Sequence, residues 1–291
     1  MSDLPEPVSF HTALEKFLDH LRSQKRSTAT TIAYGSDLEQ LKKHLDERRI
    51  TQATTVRTEH LETYVEYLAT QNYTPKSISR KINSLKTFFK FLHREKIVPE
   101  NPAHPLTHPK YETKPPHILT PAEVQSLRDA ARLDIRISAI VELLLQTGMR
   151  ISELANLRVE DIRKNEIHIG VLENNPARTI PVSRSASVAV QNYLAVRPKV
   201  TDPHLFVTKT GRPLLVRNIR TSIDRYFKKA GVKDAKVNDL RHTFIAHQLR
   251  QGVDPELIHK HVGHRRLTST QKYLEYITVD VVETHTRLSE L

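Results

Sequence analysis

Apolar residues recur every three or four positions through the first part of the chain, which is the spacing of a buried stripe on a helix. This spacing predicts helices over 9–24, 28–47 and 58–70. The predicted buried positions are Phe10, Leu14, Phe17, Leu18 and Leu21, then Ile32, Leu38, Leu41 and Leu45, then Leu61, Tyr64, Val65 and Leu68. We therefore expect the chain to open with a helical domain.

A fourth helix is predicted to begin at Pro75, with Thr74 as its N-cap, because proline is favoured in the first helical turn. Its buried row is Ile78, Ile82, Leu85, Phe89 and Leu92. Its opposite face carries Lys76, Arg80, Thr87, Lys90 and Arg94. A face of this kind is either a solvated surface or a surface that enters the major groove of DNA, which is about 12 Å wide. The spacing alone leaves both interpretations open.

Prolines are concentrated after this helix. The stretch PENPAHPLTHPKYETKPP, over 99–116, holds six of the sixteen prolines of the chain. Proline fixes its own φ and disfavours helix in the residue before it, so an extended segment is expected. We interpret 101–116 as a linker between a helical domain over 1–100 and a second domain over 117–291.

The second domain is predicted to be mostly helical with one small sheet. Thr120, Pro121 and Glu123 form a helix start, and Gly148 ends an apolar helix that begins near Arg136. From 157 to 182 the runs LRVEDI, EIHIGVL and RTIPV are short and rich in β-branched residues. The whole chain is therefore predicted to be mainly α with a small antiparallel β-sheet.

Charge and composition narrow the class of function. The 45 Lys and Arg outnumber the 33 Asp and Glu, which leaves a net charge of +12 and favours a polyanionic partner, with nucleic acid first. General basicity for solubility is the alternative. The absence of cysteine excludes disulfides and thiolate chemistry, and the sixteen histidines are too scattered to predict a metal site. With no apolar run of membrane-spanning length, we expect a cytoplasmic, nucleoid-associated protein that has no membrane partner.

Four stretches contain residue types whose order along the chain is more informative about function than any one stretch by itself. TGMRISELANL contains Arg150, DLRHTF contains Arg241, VGH ends at His264, and STQKYLEY contains Tyr273. With LTPAEV and RTIPV in the same order, the chain resembles the tyrosine recombinase (phage integrase) family over nearly its whole length. Its nearest likeness is to the Xer-like members.

The resemblance implies an N-terminal helical core-binding (SAM-like) domain and a C-terminal tyrosine-recombinase catalytic domain, which together clamp duplex DNA. It implies that Arg150 and Arg241 grip the scissile phosphate, that His264 assists and that Tyr273 is the nucleophile. Glu153 would hold Arg150 in place. From its spacing and from the basic charge of the chain, we expect the basic face of the fourth helix, with Lys76, Arg80, Lys90 and Arg94, to contact DNA.

These residue types suit the reaction. Planar guanidinium groups bind phosphate oxygens bidentately, and a tyrosine that attacks phosphorus stores the bond energy as a phosphotyrosine. The reaction then needs neither ATP nor metal, and no cofactor is expected. Tyr276 is the weaker candidate for the nucleophile, and we interpret His242 as a structural hydrogen-bonding residue.

Two positions depart from the family pattern. Asn238 stands three residues before Arg241, where the family usually has His or Lys. No Lys or Arg lies between 165 and 177, where the family has a lysine that protonates the leaving group. Either Lys164 or Lys209 substitutes, or the enzyme is slow, or it binds DNA without cutting. Loss of one general acid costs about 100-fold to 10,000-fold in rate and does not abolish it, so we predict a recombinase that is active at either a full or a weakened rate.

The resemblance also implies an assembly and a biological role. We expect a homo-tetramer on two DNA sites, with or without a partner recombinase, that exchanges strands through a Holliday junction. The tail, with Val279, Val282 and Leu288 at helical spacing, is expected to dock on a neighbouring protomer. The alternatives are a catalytically silent DNA-binding protein of the same fold, acting as an architectural or regulatory factor, and a type IB topoisomerase-like enzyme.

Overall fold

The structure is a computed structural model that describes residues 7–24, 26–112, 114–172, 175–277 and 288–291. The chain divides into two compact units, Met1–Thr113 and Lys114–Leu291. Among the described residues, no helix is both long and apolar enough to cross a membrane.

Besides the short 3-10 helix Ala53–Thr55, the described residues of unit 1 form four α-helices. They are α1 (Phe10–Ser23), α2 (Thr28–Asp46), α3 (Thr58–Thr70) and α4 (Pro75–Arg94). The side chains of Ser9, Ser27 and Thr74 accept hydrogen bonds from backbone N–H groups in the first turns of α1, α2 and α4, which satisfies donors that a helix start leaves free. The four predicted helices are confirmed, and Pro75 begins the fourth.

The core of unit 1 is rich in aromatic rings. Phe88 contacts Phe10, Phe17 and Phe89, with ring centroids 5.0 to 5.4 Å apart, and the predicted buried row of α4 is buried throughout. The prediction for Ile32 is wrong, because this side chain is 67% exposed. Ile32 lies six residues before Leu38, so it points about 120° away from the Leu38 side of the helix.

The start of the proline-rich segment belongs to unit 1. Ala103 and Leu106 are buried in its core, and the Thr58 hydroxyl donates a hydrogen bond to the Pro102 carbonyl at 3.1 Å. Ser79 and His108 are also hydrogen-bonded, at 3.0 Å. The described residues from 109 to 120 form neither helix nor strand.

Unit 2 begins with three helices and a small sheet. They are α5 (Pro121–Ala131), α6 (Ile135–Thr147), α7 (Ile151–Asn156), β1 (Glu166–Ile169) and β2 (Arg178–Pro181). The strands are antiparallel and pair Ile167 with Ile180. The predicted run LRVEDI instead forms the 3-10 turn Val159–Asp161 and two isolated bridges, Arg158 with His204 and Ile162 with Ile167.

The rest of unit 2 is helical. It contains α8 (Arg184–Val196), α9 (Val216–Lys229), α10 (Val237–Arg250), α11 (Pro255–Val262), α12 (Thr268–Gln271) and the 3-10 helix Lys272–Tyr276, here called the terminal turn. The fold class predicted from the sequence, mainly α with a small antiparallel sheet, is confirmed.

The apolar helix α6 sets the position of the site. It is buried from Ala139 to Thr147 and ends at Gly148, whose φ of +57° is left-handed. A Cβ at Gly148 would lie 2.4 Å from the Phe244 ring, so only glycine fits this turn against α10. The turn delivers Arg150 to the start of α7, beside α10 and α11.

Candidate active site

Arg150 is held at the start of α7 by hydrogen bonds from both its backbone and its guanidinium group. Its backbone N–H donates to Glu153 Oε2 at 2.8 Å, and its Nη1 donates to Glu153 Oε1 at 3.2 Å. Its Nη2 donates to the carbonyl of Gly263 at 2.7 Å. The guanidinium is therefore fixed between α7 and the end of α11, while 28% of the side chain stays exposed.

Glu153 binds Arg178 as well as Arg150. Arg178 on β2 donates Nη1 and Nη2 to the two carboxylate oxygens at 2.9 Å each, and its Nε to the carbonyl of His261 at 2.7 Å. Although burial opposes ionisation, hydrogen bonds from Arg178 and Arg150 hold the pKa of Glu153 below its usual value. The predicted pairing of Glu153 with Arg150 is present, but Arg178 makes the bidentate contact.

Gly263 allows this arrangement because it has no side chain. Its φ is +64°, and a Cβ there would lie 2.9 Å from Arg178 Nη1. The left-handed glycine ends α11 and turns its carbonyl toward Arg150.

Arg241 lies on α10 and donates Nη1 to the carbonyl of Gly148 at 2.6 Å. Burial and the charge of Arg150 lower the pKa of the Arg241 guanidinium to about 9. Among the hydrogen bonds and ion pairs of the described residues, Arg241 has no carboxylate partner. Two cations thus share one site, and Glu153, the one carboxylate that binds Arg150 among the described residues, is already bound to Arg178.

His264 follows α11 and faces the same site. Its Nδ1 lies 2.7 Å from the hydroxyl of Thr270, which is fully buried. Burial and the charges of Arg241 and Arg150 lower the pKa of His264 to about 3. The imidazole is therefore neutral at physiological pH, and a Thr270 hydroxyl donating to Nδ1 leaves a proton on Nε2.

Tyr273 lies in the terminal turn and is 9% exposed. It packs in a small apolar cluster with Phe244 and Val262. Its hydroxyl lies 2.5 Å from Nδ1 of His242. Burial raises the pKa of Tyr273, and the charge of Arg241 opposes that shift. Tyr276 lies beside it at an edge-to-face distance of 6.4 Å between ring centroids.

The structure brings Arg150, Glu153, Arg241, His264 and Tyr273 into one region of unit 2, where their charges act on one another. Sequence reasoning did not find the contact of His242 with Tyr273 or the contact of Arg178 with Glu153. Both join residues that are at least 25 positions apart, and no local motif signals such contacts.

Asn238 lies in the first turn of α10 and is exposed. Lys164 is also exposed, just before β1. Within the turn that follows β1, residues 173 and 174 lie outside the described residues. The donor that would protonate a leaving group therefore stays a prediction.

The basic face of α4 is partly neutralised. Arg80 donates to both oxygens of the buried Asp37, with Nη2 to Oδ1 at 2.8 Å, and Arg94 contacts Glu95 at 3.1 Å. Lys76 and Lys90 are exposed. The DNA contacts of all four residues remain predictions.

A second basic surface, which sequence reasoning missed, lies in unit 2. A groove of about 510 Å³ is lined by four cations and by polar side chains. The cations are Arg136, Lys209, Arg217 and Arg225. The signal was available, because α9 buries Ile219, Ile223 and Phe227 at helical spacing and carries five Lys and Arg against one Asp at its other positions. We call this surface the α9 groove.

Within the described part of the chain, no three His, Asp or Glu side chains are grouped so that they could hold a metal ion.

Comparison with known proteins agrees with this site. Residues 117–277 match the Phage integrase family, and residues 14–96 match the Phage integrase, N-terminal SAM-like domain. The chain is 32% identical over 289 residues to tyrosine recombinase XerC of Anoxybacillus flavithermus, covering 94% of this chain and 95% of that protein. It is 31% identical over 271 residues to a tyrosine recombinase of Pseudothermotoga lettingae, covering 91% and 93%.

Solved structures are similar as well. The crystal structure of XerA recombinase has 26% identity and a TM-score of 0.53, covering 91% of this chain and 93% of that chain. A lambda integrase dimer bound to a COC′ core site has 16% identity and a TM-score of 0.75, covering 97% and 81%, and shows the same fold. With its match over 117–277 and its identity to tyrosine recombinases along nearly its whole length, the chain belongs to the phage integrase family of tyrosine recombinases, enzymes of DNA strand transfer.

Proposed function

We propose that this protein is a site-specific recombinase that cuts and rejoins duplex DNA through a 3′-phosphotyrosine on Tyr273. One observation carries the proposal. Arg241 and Arg150 face one site, their mutual repulsion and burial lower the pKa of Arg241, and no described carboxylate pairs with Arg241. A phosphodiester bound between them supplies the missing negative charge.

The side chains then have separate tasks. Arg150 and Arg241 hold the non-bridging oxygens, whose charge increases in the transition state. His264, with Nδ1 bound to Thr270, donates Nε2–H to the phosphate. The Tyr273 oxygen attacks phosphorus and forms the covalent joint, which is later reversed by a 5′-hydroxyl without ATP.

Two surfaces are proposed to bind the duplex. In unit 1, the exposed Lys76 and Lys90 supply positive charge, while Arg80 shares its charge with Asp37. In unit 2, the α9 groove collects four cations. Contacts of this kind neutralise backbone phosphates and do not by themselves choose a sequence.

We further propose a tetramer on two DNA sites, acting through a Holliday junction on DNA in the cytoplasm, alone or with a partner recombinase. A lambda integrase structure with 17% identity and a TM-score of 0.73 is a tetramer bound to a Holliday junction, which supports this assembly for the fold. The predicted tail residues Val279 and Val282 lie outside the described residues. The end of the tail, Leu288–Leu291, binds unit 2 of its own chain, and we propose that the same surface accepts the tail of a neighbour.

The test is covalent trapping on DNA. A duplex selected by binding from a random-sequence pool is nicked near each candidate cleavage position, so that the short 5′-hydroxyl fragment diffuses away after cleavage. Wild type is expected to form a protein–DNA adduct that survives denaturing electrophoresis. Tyr273→Phe should form none, whereas Tyr276→Phe should retain it.

The alternative is a catalytically silent DNA-binding protein, and its support is the non-titrating amide of Asn238 and the absence of Lys and Arg between 165 and 177. The complete set of Arg150, Arg241, His264 and Tyr273 in one site argues against it. Wild type that binds the nicked duplex but forms no adduct would establish the silent role. An adduct from Tyr273→Phe would move the nucleophile to another residue.

A further inference from the structure

His242 and Tyr273 form a close contact that the proposed function leaves unexplained. His242 directly follows Arg241 on α10, and its ring turns to the terminal turn rather than to solvent. Its Nδ1 lies 2.5 Å from the Tyr273 hydroxyl, and the two ring centroids are 5.8 Å apart. A distance this short is at the lower end for a hydrogen bond that involves a hydroxyl group.

The charges around His242 and Tyr273 act on the protonation states of both groups. The titratable groups that act on His242 and Tyr273 are Asp239 and Arg241 on α10, Tyr276 in the terminal turn, and His264 after α11. Burial lowers the pKa of His242, Asp239 opposes this shift and Arg241 adds to it. With both groups neutral, Tyr273 can donate to Nδ1 when the ring proton is on Nε2, and this is the tautomer that the proposal requires.

The other candidates for accepting the Tyr273 proton are bound elsewhere or cannot act as a base. His264 has its Nδ1 bound to Thr270, and Asn238 carries an amide that cannot take up a proton. Among the hydrogen bonds of the described residues, the Tyr273 hydroxyl has His242 as its one side-chain partner. The attacking oxygen must lose its proton, and His242 is the base within reach.

We propose that His242 is a catalytic residue that accepts the proton of Tyr273 during strand cleavage; this inference rests on the proposed function. As the bond from Oη to phosphorus forms and the bond from phosphorus to the 5′-oxygen breaks, the phenol proton moves to Nδ1. The 5′-oxygen takes up a proton from water. On rejoining, the imidazolium returns its proton to Oη as the phosphotyrosine bond breaks and the 5′-hydroxyl loses its proton to water.

The variant His242→Asn separates proton transfer from positioning. The Asn Oδ1 occupies nearly the place of Nδ1 and accepts a hydrogen bond from Tyr273, but it does not titrate. His242→Ala removes both functions. His11→Gln, in which an exposed histidine of α1 is replaced, is the matched control. Thermal unfolding and DNA binding of each variant show whether it folds.

The rate of adduct formation on the nicked duplex is measured in single turnover from pH 6 to pH 9. For His242→Asn we expect a loss of about 100-fold to 10,000-fold at neutral pH, the usual contribution of a general base. Its rate should rise about tenfold per pH unit, because only the tyrosinate attacks without a base, whereas wild type should be nearly flat above the usual histidine pKa of about 6.5. A His242→Asn rate within threefold of wild type at every pH would overturn the proposal.

The hydrogen bond itself is tested without DNA. Nitrogen-15 NMR of the histidine rings should show one ring with an unprotonated Nδ1 that accepts a hydrogen bond, and Tyr273→Phe should shift that Nδ1 signal. A protonated Nδ1 on His242, or a signal that Tyr273→Phe leaves in place, would overturn the proposal. The NMR experiment involves no cleavage, so its result does not depend on the proposed function. A wild type that forms no adduct would refute the proposed function alone.

Discussion

At the scale of single residues, Glu153 determines the order of the site. It is a fully buried carboxylate that binds two guanidinium groups and the backbone N–H of Arg150. Removing one member of a buried ion pair leaves the other charges uncompensated, which costs more than the pair contributes. Glu153 therefore affects both the stability of unit 2 and the position of Arg150.

We expect Glu153→Gln to lower the free energy of unfolding by about 3 to 5 kcal/mol at pH 7. The folded pKa of Glu153 lies below its usual value of 4.5, so the stabilisation is complete above that pH. It is lost as the pH falls through the folded pKa, and the difference between wild type and variant should shrink there. Urea denaturation at several pH values measures it.

Glu160→Gln is the control, because the Glu160 side chain is 71% exposed in its pair with Arg158. A surface pair of this kind contributes at most about 1 kcal/mol. Equal effects of the two substitutions would contradict the role given to Glu153.

At the scale of elements, helix faces that look alike in sequence carry different charges in the structure. Asp37 and Glu95 neutralise part of the positive charge on the basic face of α4. The α9 groove collects Arg217 and Arg225 on one helix with Lys209 from the preceding loop. Cations placed this way release counterions from DNA when they bind phosphates.

Replacing Arg217 and Arg225 together by alanine should weaken DNA binding and flatten its dependence on salt. Each lost phosphate contact reduces the slope of log K against log salt by about 0.9, so the pair should reduce it by about 2. Fluorescence anisotropy over a salt series measures the slope. Arg250→Ala, which removes an exposed arginine at the end of α10, should leave the slope unchanged. An unaltered slope in the double variant would show that the α9 groove faces solvent and does not contact DNA phosphates.

At the scale of the whole molecule, the end of the chain is part of unit 2. Gln248 exchanges two hydrogen bonds with the backbone of Ser289, at 2.7 and 2.8 Å. Gln146 does the same with Leu291, at 2.6 and 3.1 Å, and Arg128 donates to the Leu291 carbonyl at 2.8 Å. The two glutamines therefore bind the backbone at alternate residues, Ser289 and Leu291, as a neighbouring β-strand would.

Deleting residues 288–291 should lower the free energy of unfolding of unit 2 by about 2 kcal/mol, since each hydrogen bond contributes about 1 kcal/mol or less when partly exposed. Replacing Gln146 and Gln248 by alanine should have a similar effect. The deletion should then cost less in the background of that double variant than in wild type, because the two changes share the bonds that Gln146 and Gln248 make to the segment. Urea denaturation of the four proteins measures the coupling, and fully additive effects would contradict the pairing.

The sequence alone determined much of the fold, because the signals are local. Thr74 and Thr120 mark helix starts by accepting hydrogen bonds from the backbone N–H groups of Ser77 and Glu123, three residues along the chain. Helical spacing predicted the buried row of α4 correctly and failed at Ile32, where the stripe is too narrow to include that position. The order of Arg150, Arg241, His264 and Tyr273 predicted one site from residue types and intervals.

Only the tertiary structure decided which partner each of these residues has. Arg178 reaches Glu153 from a strand, Gly263 lets that guanidinium approach, and His242 meets Tyr273 across two elements. Such contacts join positions that no periodicity links, and their charges depend on burial and on neighbours that come together only when the chain folds. The sequence therefore determined which chemistry this protein carries, and the packing of α6, α10 and α11 decided how its protons and charges are arranged.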